Sequence, residues 1–258
     1  MKLIAGPCQH ETLEQSLEIA EKCAKVCSKH NIDYYFKASY DKANRTSANG
    51  RRGTGLKQTL TDFRSMKQEM PGLKILTDVH DINQVSEIEE NYKDCIDVYQ
   101  IPAFLCRQTD LIKAVCKTDK IVNIKKGQFL APWDVEGILS KTKGAKEVWI
   151  TERGTSFGYN TLVVDFTGMQ YMLDNYDTET VFDVTHSVQK PGGNGVSSGG
   201  NRAYVPGLSR AGAAMGVRNF FLEVHKSPSF APSDGPNMIK LDDFEEIVDD
   251  IVRYSYSG

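Results

Sequence analysis

The sequence lacks three features that would place it in a specialised class of protein. It has no apolar run near the ~20 residues that a membrane-spanning helix needs, and its first residues, MKLIAGPCQHE, turn polar too early for a signal peptide. Its net charge is −3 and its basic residues are dispersed, so the concentrated positive face of a nucleic-acid-binding protein is missing. We therefore expect a cytoplasmic protein with neither nucleic acid nor membrane as a partner.

Cysteine and linker sequences are also scarce. The six cysteines form no CxxC pair and no dense framework, which indicates reduced thiols rather than disulfides. No stretch rich in proline, glycine and serine divides the chain before its last third, and barrels of this length often fold as one unit. We therefore expect a single catalytic domain over residues 1–258.

What the sequence does contain is an alternation of strand-like and helix-like segments. Short β-branched and aromatic runs each precede a segment with helical periodicity, which is the pattern of parallel βα units. Eight units favour an α/β fold of the (β/α)8 TIM-barrel class over an open, doubly wound sheet, which alternates in the same way. The predicted strands are residues 2–8, 33–40, 74–80, 98–104, 121–127, 148–154, 180–186 and 219–225.

Polar pairs with a spacing of two residues recur near the ends of five predicted strands. Side chains alternate between the two faces of a strand, so each pair shares a face and would point into the mouth of a closed barrel. Charged groups there are costly unless they are paired or bind a ligand, although a salt bridge between neighbouring strands explains any single pair. The pairs are Lys37 with Ser39, Asp78 with His80, Asn123 with Lys125, Thr151 with Arg153, and Glu223 with His225.

Cations are numerous in this predicted mouth, which suits ligands that carry phosphate and carboxylate groups. They are Lys37, Lys42, Arg45, Lys125 and Arg153, with Lys126 and Arg52 nearby. The anions among them are Asp78, Glu152, Asp183, Glu223 and Asp234. The glycine-rich segment KPGGNGVSSGGNR, residues 190–202, directly follows the seventh predicted strand, where a catalytic loop is a better interpretation than a domain boundary.

Four potential metal ligands come from neighbouring parts of the predicted barrel. Cys8, His186 and Glu223 lie near the ends of the first, seventh and eighth predicted strands, and Asp234 lies in the following loop. One thiolate, one imidazole and two carboxylates suit a divalent transition metal such as zinc, iron or manganese, without singling out one ion. A buried thiol beside a hydrogen-bonded histidine fits the same residues, and both interpretations stay open.

Ordered motifs extend along nearly the whole chain. They are FKASYDKANRTS, RRGTGL, TDVH, QIPAFLCRQTDL, VNIKKGQFLAPWD, TERGTSFGYNTLVVD, DVTHSVQKPGG and SGGNR. Together they resemble the 3-deoxy-D-manno-octulosonate 8-phosphate synthases, also named 2-dehydro-3-deoxyphosphooctonate aldolases. The resemblance implies a barrel, usually a homotetramer, that joins phosphoenolpyruvate, D-arabinose 5-phosphate and water in lipopolysaccharide precursor synthesis, with release of inorganic phosphate.

The resemblance also implies roles for individual residues. Those that would hold phosphoenolpyruvate are Lys37, Ser39, Lys42, Gln100, Lys125 and Arg153, with the last two at its phosphate. The sugar phosphate would contact Asn44, Arg45 and Thr46, and Arg107 would reach it from a neighbouring subunit. The catalytic set would be Lys42, Asn44, His186 and Asp234.

Two features place the chain within this resemblance. The family has metal-dependent and metal-independent branches, and a cysteine after GP in the first strand marks the former, so Cys8 implies a metal held with His186, Glu223 and Asp234. The related 3-deoxy-arabino-heptulosonate 7-phosphate synthase, which uses erythrose 4-phosphate, typically reads KPRTS where this chain has Ala43 and Asn44. That enzyme, a lyase-type aldolase and a non-catalytic sugar-phosphate-binding barrel are the alternatives.

Overall fold

A ring of eight parallel strands forms the centre of the protein. The computed structural model describes residues 1–193, 195 and 198–255. The ring strands are β1 (Lys2–Gly6), β2 (Asp33–Lys37), β3 (Lys74–Asp78), β4 (Val98–Ile101), β5 (Ile121–Lys125), β6 (Glu147–Glu152), β7 (Glu179–Asp183) and β8 (Asn219–His225). They pair in chain order, and β1 also pairs with β8. The predicted (β/α)8 TIM barrel is therefore confirmed, because an open sheet has no such closing pair.

The predicted strands begin within one residue of the observed ones, but seven of them end two or three residues too late. The second, for example, was predicted over residues 33–40 and is observed as Asp33–Lys37. An isolated parallel bridge between Gln9 and Ser39 continues the pairing of β1 and β2 past their ends. The extra residues therefore belong to the first turns of the loops above the ring.

Helices cover the outside of the ring. They are α1 (Leu13–Lys29), α2 (Leu56–Glu69), α3 (Ile82–Asn91), α4 (Thr109–Val115), α5 (Val135–Leu139), α6 (Phe166–Asn175), α7 (Val184–Ser187), α8 (Val205–Ala214) and α9 (Phe244–Ser255). Thr12 and Asp81 start α1 and α3 by accepting hydrogen bonds from backbone N–H groups of the first turn. No helix among the described residues is both long and apolar enough to span a membrane.

Short elements lie in the loops between these helices and strands. The 3-10 turns are Ala103–Leu105, Pro132–Asp134, Arg202–Tyr204, Pro228–Phe230 and Leu241–Asp243. Thr155–Ser156 pairs with Leu162–Val163, and Gln189–Lys190 pairs with Gly199–Gly200, both as antiparallel ladders. Ile239–Lys240 adds a parallel pair to the end of β8.

The interior of the ring is apolar below and polar above. The apolar layer is Ile4, Tyr35, Leu76, Val98, Trp149, Val181 and Phe221. Strand side chains alternate between faces, so the next inward-facing position on each strand lies two residues further along. These upper positions include Lys37, Asp78, Gln100, Asn123, Thr151, Asp183 and Glu223. The apolar layer therefore forms the floor of a polar mouth at the C-terminal ends of the strands, as in TIM barrels generally.

Gly6 allows β1 to approach β2 closely at the edge of this mouth. A Cβ atom at residue 6 would lie 2.0 Å from the backbone oxygen of Lys37, far inside contact distance. We expect Gly6→Ala to lower the free energy of unfolding by about 2 kcal/mol or more, because the backbone must shift to relieve the overlap. Urea denaturation measures this change.

Gly137→Ala is the matched control for that substitution. Gly137 lies in α5, and outside the backbone of that helix none of the described residues lies within 4 Å of a Cβ atom placed there. Alanine is the better helix former, so this variant should be as stable as the wild type or more so. Equal losses of stability in the two variants would show that the contact with Lys37 is not the cause.

Candidate active site

A cavity of about 770 Å³ opens at the C-terminal ends of the strands. Ten of the residues that the sequence assigned to a site line it: Lys37, Lys42, Asn44, Arg45, Thr46, Gln100, Lys125, Arg153, His186 and Asp234. Cys8, Ser39 and Glu223 are buried next to these residues rather than in the lining. Arg107 is exposed and lies outside the lining, so its action from a neighbouring subunit stays a prediction.

Ser39 holds the two lysines of the second strand and its loop in place. Its hydroxyl accepts hydrogen bonds from Lys37 Nζ at 3.2 Å and from Lys42 Nζ at 2.9 Å, and donates to Asp78. Lys37 Nζ also donates to the backbone oxygen of Cys8 at 2.9 Å. Both ammonium groups are therefore fixed before any ligand arrives, which is the condition under which fixed charges stabilise reacting groups most effectively.

The charges around these lysines keep Lys42 protonated and Asp78 ionised. Burial alone would lower the pKa of Lys42, but the negative charges of Asp78, Glu223 and Asp234 raise it well above its usual value. Burial alone would raise the pKa of Asp78, but the hydrogen bond from His80 and the charges of Lys37 and Lys42 hold it far below its usual range.

Asp183 joins the other side of the mouth. Its Oδ2 atom accepts a hydrogen bond from Lys125 Nζ and lies 2.6 Å from His186 Nδ1. The backbone N–H of His186 donates to Asp183 Oδ1 at 3.0 Å, so the carboxylate fixes the ring and directs its Nε2 atom inward. Burial opposes ionisation of Asp183, but the charges of His186 and Lys125 hold its pKa far below the usual range.

Burial brings the pKa of Lys125 towards neutrality. Its Nζ atom lies 3.3 Å from the centroid of the Phe221 ring in the floor. Burial lowers the pKa of Lys125 to about 8, although Asp183 acts in the opposite direction. Lys125 therefore changes charge in the range where enzymes work, and an anionic ligand would restore its proton.

Arg153 lines the cavity and has one guanidinium nitrogen without a hydrogen-bond partner among the described residues. Its Nη2 atom donates to Gln189 Oε1 at 2.8 Å. Its Nη1 atom is buried and has no hydrogen-bond partner among the described residues. Gln189 Nε2 donates in turn to Asp234 Oδ1 at 2.6 Å. A buried guanidinium nitrogen without an acceptor is costly, so this group is suited to an anionic ligand.

The four predicted metal ligands lie together beneath this surface. One ligand atom from each of Cys8, His186, Glu223 and Asp234 lies within 4.8 Å of all the others. Cys8 Sγ donates to Asp234 Oδ2 at 3.1 Å, and His186 Nε2 lies 3.5 Å from Glu223 Oε1. His186 hydrogen-bonds to Asp183 rather than to the thiol.

The chemistry of this set fits a divalent cation. Glu223 is fully buried, and neither of its carboxylate oxygens accepts a hydrogen bond from the described residues, although Lys37 Nζ lies 3.5 Å from Oε1. A buried carboxylate whose oxygens both lack hydrogen bonds is suited to coordinate a metal. Burial, together with the charge of Glu223, raises the pKa of the Cys8 thiol well above its usual value, so binding of a metal there would displace a proton.

Two of these four residues have backbones in the left-handed region. Cys8 has a φ angle of 29° and Asp234 has a φ angle of 54°, values that residues other than glycine seldom adopt. The backbone oxygen of Cys8 is held by the N–H of Ser39 at 3.0 Å and by Lys37 Nζ. Such conformations persist where surrounding contacts enforce them, and they are often found at functional sites.

Four residues that the sequence assigned to the mouth or its surroundings lie elsewhere. They are Glu152, Lys126, Arg52 and His225. Glu152 follows Thr151 on β6 and therefore faces away from the interior, where it pairs with Lys126 at 3.0 Å. Arg52 is exposed and pairs with Asp41. His225 bonds to Glu11 at 2.9 Å and to the amide of Gln15, near the start of α1.

Several residues of the cavity were not predicted from the sequence. Gln189, Arg51 and Ser233 line it. In the glycine-rich segment, Pro191, Gly192, Ser198 and Arg202 line the cavity, whereas Asn194, Val196 and Ser197 lie outside the described residues. The spacing of Asp183 and His186 was the one available signal for a carboxylate that orients a histidine ligand.

Comparison with known proteins identifies the family. The sequence model of the DAHP synthetase I family matches residues 1–254. The chain belongs to this family. The resemblance inferred from the motifs is thus confirmed at the level of the family.

Curated relatives of this DAHP synthetase I family member cover nearly its whole length. A protein of Nitrobacter hamburgensis is 51% identical over 250 residues, which are 96% of this chain and 85% of the relative. Proteins of Caulobacter vibrioides and Rickettsia bellii are each 49% identical, over 98% of this chain and 87% and 90% of their own lengths. All three are named 2-dehydro-3-deoxyphosphooctonate aldolase.

A thermal-shift experiment tests whether the four-residue set holds a metal. Adding Mn²⁺ or Zn²⁺ to chelator-treated protein should raise the melting temperature, because a ligand at 100 times its Kd stabilises the folded state by about 2.7 kcal/mol. Glu223→Gln and Cys8→Asn each remove an anionic donor and should lose most of that rise.

His225→Gln is the matched control for the metal experiment. His225 is buried two residues beyond Glu223, but it bonds to Glu11 and Gln15 instead of the set. Its variant should keep the metal-dependent rise, even if its starting stability is lower. A rise of wild-type size in Glu223→Gln would exclude that carboxylate as a ligand.

Proposed function

We propose that this protein condenses phosphoenolpyruvate with D-arabinose 5-phosphate and water. The products would be 3-deoxy-D-manno-octulosonate 8-phosphate and inorganic phosphate, for lipopolysaccharide precursor synthesis. The observation that carries the proposal is the presence of two cationic regions in one cavity, since the reaction has two phosphorylated substrates. The deep region contains Lys37, Lys125 and Arg153, and the outer one contains Arg45. The names of the relatives support the same reaction.

The deep region would bind phosphoenolpyruvate. The free Nη1 atom of Arg153 and the amine of Lys125 would contact its phosphate, and Lys37, Lys42, Ser39 and Gln100 would hold the rest of the molecule. Asn44, Arg45 and Thr46 would bind the sugar phosphate nearer the opening, with Arg107 of a neighbouring subunit. Charge-assisted contacts from such fixed cations are the strongest hydrogen bonds that a protein offers to phosphate.

In this proposal, C3 of phosphoenolpyruvate attacks the aldehyde carbon of the sugar while water adds to C2. The hemiketal phosphate that results loses inorganic phosphate by cleavage of its C–O bond. Lys42 stays protonated because its pKa is raised, so its ammonium group can stabilise the new alkoxide and supply its proton. Asp183 would keep His186 in place through these steps.

Cys8, His186, Glu223 and Asp234 would hold a divalent metal in this reaction. A bound Zn²⁺, Fe²⁺ or Mn²⁺ supplies Lewis acidity, which orients or activates water or polarises a carbonyl group. Gln189 touches both Asp234 and Arg153, so it would fix the position of one ligand relative to the phosphate-binding arginine.

The assembly and location of the protein are part of the proposal. We propose one catalytic domain over residues 1–258 and a cytoplasmic location, as the sequence indicates, and a homotetramer, as the family resemblance implies. Phe104 is 61% exposed and lies in the lining of the cavity, three residues before Arg107. A neighbouring subunit packed on this segment would complete the cavity wall and bring its own arginine to the site.

A substrate comparison tests the reaction. Metal-loaded protein with phosphoenolpyruvate and D-arabinose 5-phosphate should release inorganic phosphate, and erythrose 4-phosphate should be a poor replacement because Ala43 and Asn44 line the cavity. Phosphate release is measured colorimetrically. Preference for erythrose 4-phosphate would indicate the heptulosonate synthase, aldol chemistry without phosphoenolpyruvate would indicate a lyase, and binding without turnover would indicate a sensor.

Lys125 should make phosphoenolpyruvate binding depend on pH. Its pKa is about 8, and the phosphate binds the charged amine better, so binding requires proton uptake above that pH. We expect the Kd for phosphoenolpyruvate to increase as the pH rises above about 8, approaching tenfold per pH unit. Isothermal titration between pH 7 and pH 9.5 measures it.

Lys125→Arg is the control for the pH dependence. Arginine keeps its charge throughout this range, so the increase in Kd above pH 8 should disappear, whatever the absolute affinity of the variant. A Kd for the wild type that is constant over the same range would exclude Lys125 as the phosphate-binding amine.

A further inference from the structure

Lys126 and Glu152 form a buried ion pair outside the cavity. Lys126 Nζ lies 3.0 Å from Glu152 Oε2, and the two side chains are 1% and 3% exposed. Glu152 lies between the inward-facing Thr151 and Arg153, so its own side chain points to the helix layer. The proposed reaction does not use this pair, and a buried ion pair adds little net stability because desolvation offsets the attraction. Its position therefore calls for another explanation.

The second carboxylate oxygen of Glu152 binds the backbone that carries Arg153. Glu152 Oε1 accepts hydrogen bonds from the N–H groups of Arg153 at 2.9 Å and Gly154 at 2.7 Å. Gly154 has a φ angle of 90°, which marks the point where the chain turns out of β6. Glu152 thus fixes the turn on which the arginine stands, while Lys126 fixes Glu152.

Lys126 is itself tied to the same strand. Its backbone N–H donates to the oxygen of Thr151 at 2.8 Å, which continues the pairing of β5 with β6 to the end of both strands. The lysine is therefore placed by the backbone of β6 and positions a side chain of β6 in return. Any movement of Glu152 would be transmitted to the residue that follows it.

The side chain of Arg153 is fixed at one nitrogen and free at another. Gln189 accepts from Nη2 at 2.8 Å, and Nη1 is buried without an acceptor among the described residues. A guanidinium forms directional hydrogen bonds, so a small rotation of its backbone would misplace the free nitrogen relative to a phosphate oxygen. The turn held by Glu152 controls that rotation.

We propose that Glu152, with Lys126 as its counter-ion, is a positioning residue that sets the phosphate-binding geometry of Arg153. This inference rests on the proposed function, in which Arg153 contacts the phosphate of phosphoenolpyruvate. It extends that proposal to two residues that touch neither substrate. Their effect should appear in the affinity for phosphate groups in the deep region and not in the sugar-phosphate region.

Two neutral double variants of the full-length, metal-loaded protein test the inference. Lys126→Met with Glu152→Gln keeps an amide oxygen that can accept from the backbone, whereas Lys126→Met with Glu152→Met keeps none. Neither leaves an unpaired buried charge. We expect the methionine pair to bind inorganic phosphate and phosphoenolpyruvate about tenfold more weakly than the glutamine pair. Calorimetry gives each Kd, and steady-state kinetics should show the loss in KM for phosphoenolpyruvate rather than in kcat.

Lys2→Met is the matched control for a purely structural effect. Lys2 pairs with Glu179 at 2.6 Å and Glu147 at 3.2 Å at the opposite end of the ring. The Lys2→Met protein should have a lower melting temperature than the wild type and an unchanged Kd for phosphate. If the two double variants bind phosphate equally well, or if KM for arabinose 5-phosphate rises as much as KM for phosphoenolpyruvate, Glu152 does not position Arg153.

Glu152→Asp and a phosphate-binding measurement cover the case in which the methionine pair does not fold or the protein does not turn over. If the methionine pair does not fold, Glu152→Asp shortens the carboxylate while keeping its charge, and an unchanged Kd for phosphate in that variant would overturn the inference. Phosphate binding by calorimetry needs no turnover. If the Kd values differ as expected but the protein has no condensation activity, the proposed function is rejected and this inference is not. If the protein catalyses condensation but the Kd values are equal, this inference is rejected and the proposed function is not.

Discussion

The pairing between β1 and β8 is the constraint on which the rest of the site depends. It places Gly6 opposite Glu223, so Cys8, two residues further along, reaches the same side of the ring as that carboxylate. His186 joins them from the end of β7, the other neighbour of β8. In an open sheet with β1 and β8 at its edges, β1 and β7 could not both flank β8. Closure of the ring thus brings together a thiol, an imidazole and two carboxylates from residues far apart in the sequence.

Charge balance in the mouth determines which cations remain available to a ligand. Lys125 is paired with Asp183, and Lys37 lies 3.5 Å from Glu223. Arg153 donates to the neutral amide of Gln189, and the carboxylates that act on its charge, which include Asp183 and Asp234, form no direct ion pair with it among the described residues. An anion that enters would therefore find a guanidinium without a direct counter-ion and lysines already held in position. Because the cationic side chains are already held in place, ligand binding does not have to order them from solvent-exposed conformations.

Much of this arrangement could be predicted from the sequence, because strand periodicity carries information about facing. The inward positions of Lys37, Lys125 and Arg153 follow from counting by two along each strand. The same rule places Glu152 on the outer face. The prediction that Glu152 lies in the mouth was wrong because it was based on the charge of the residue and not on its place in the strand alternation. Strand ends were predicted too late because the polar residues that follow β2, such as Ser39, continue its alternation into the loop.

Contacts between loops could not be predicted in this way. Gln189 reaches both Arg153 and Asp234, yet no periodicity or spacing marks it, since its position depends on a short antiparallel ladder after α7. The contacts of His225 likewise depend on the packing of α1 against the end of β8. Such contacts are set by tertiary packing, which a pattern within one strand does not contain.

The left-handed backbone at Cys8 bears on how the two branches of the family relate to each other. A φ angle of 29° is unfavourable for cysteine, whereas asparagine is among the residues that tolerate positive φ best. The asparagine that the resemblance implies for the metal-independent branch would therefore fit the same turn with less strain. Replacement of this one residue would exchange a thiol for an amide and leave the turn of the loop in place.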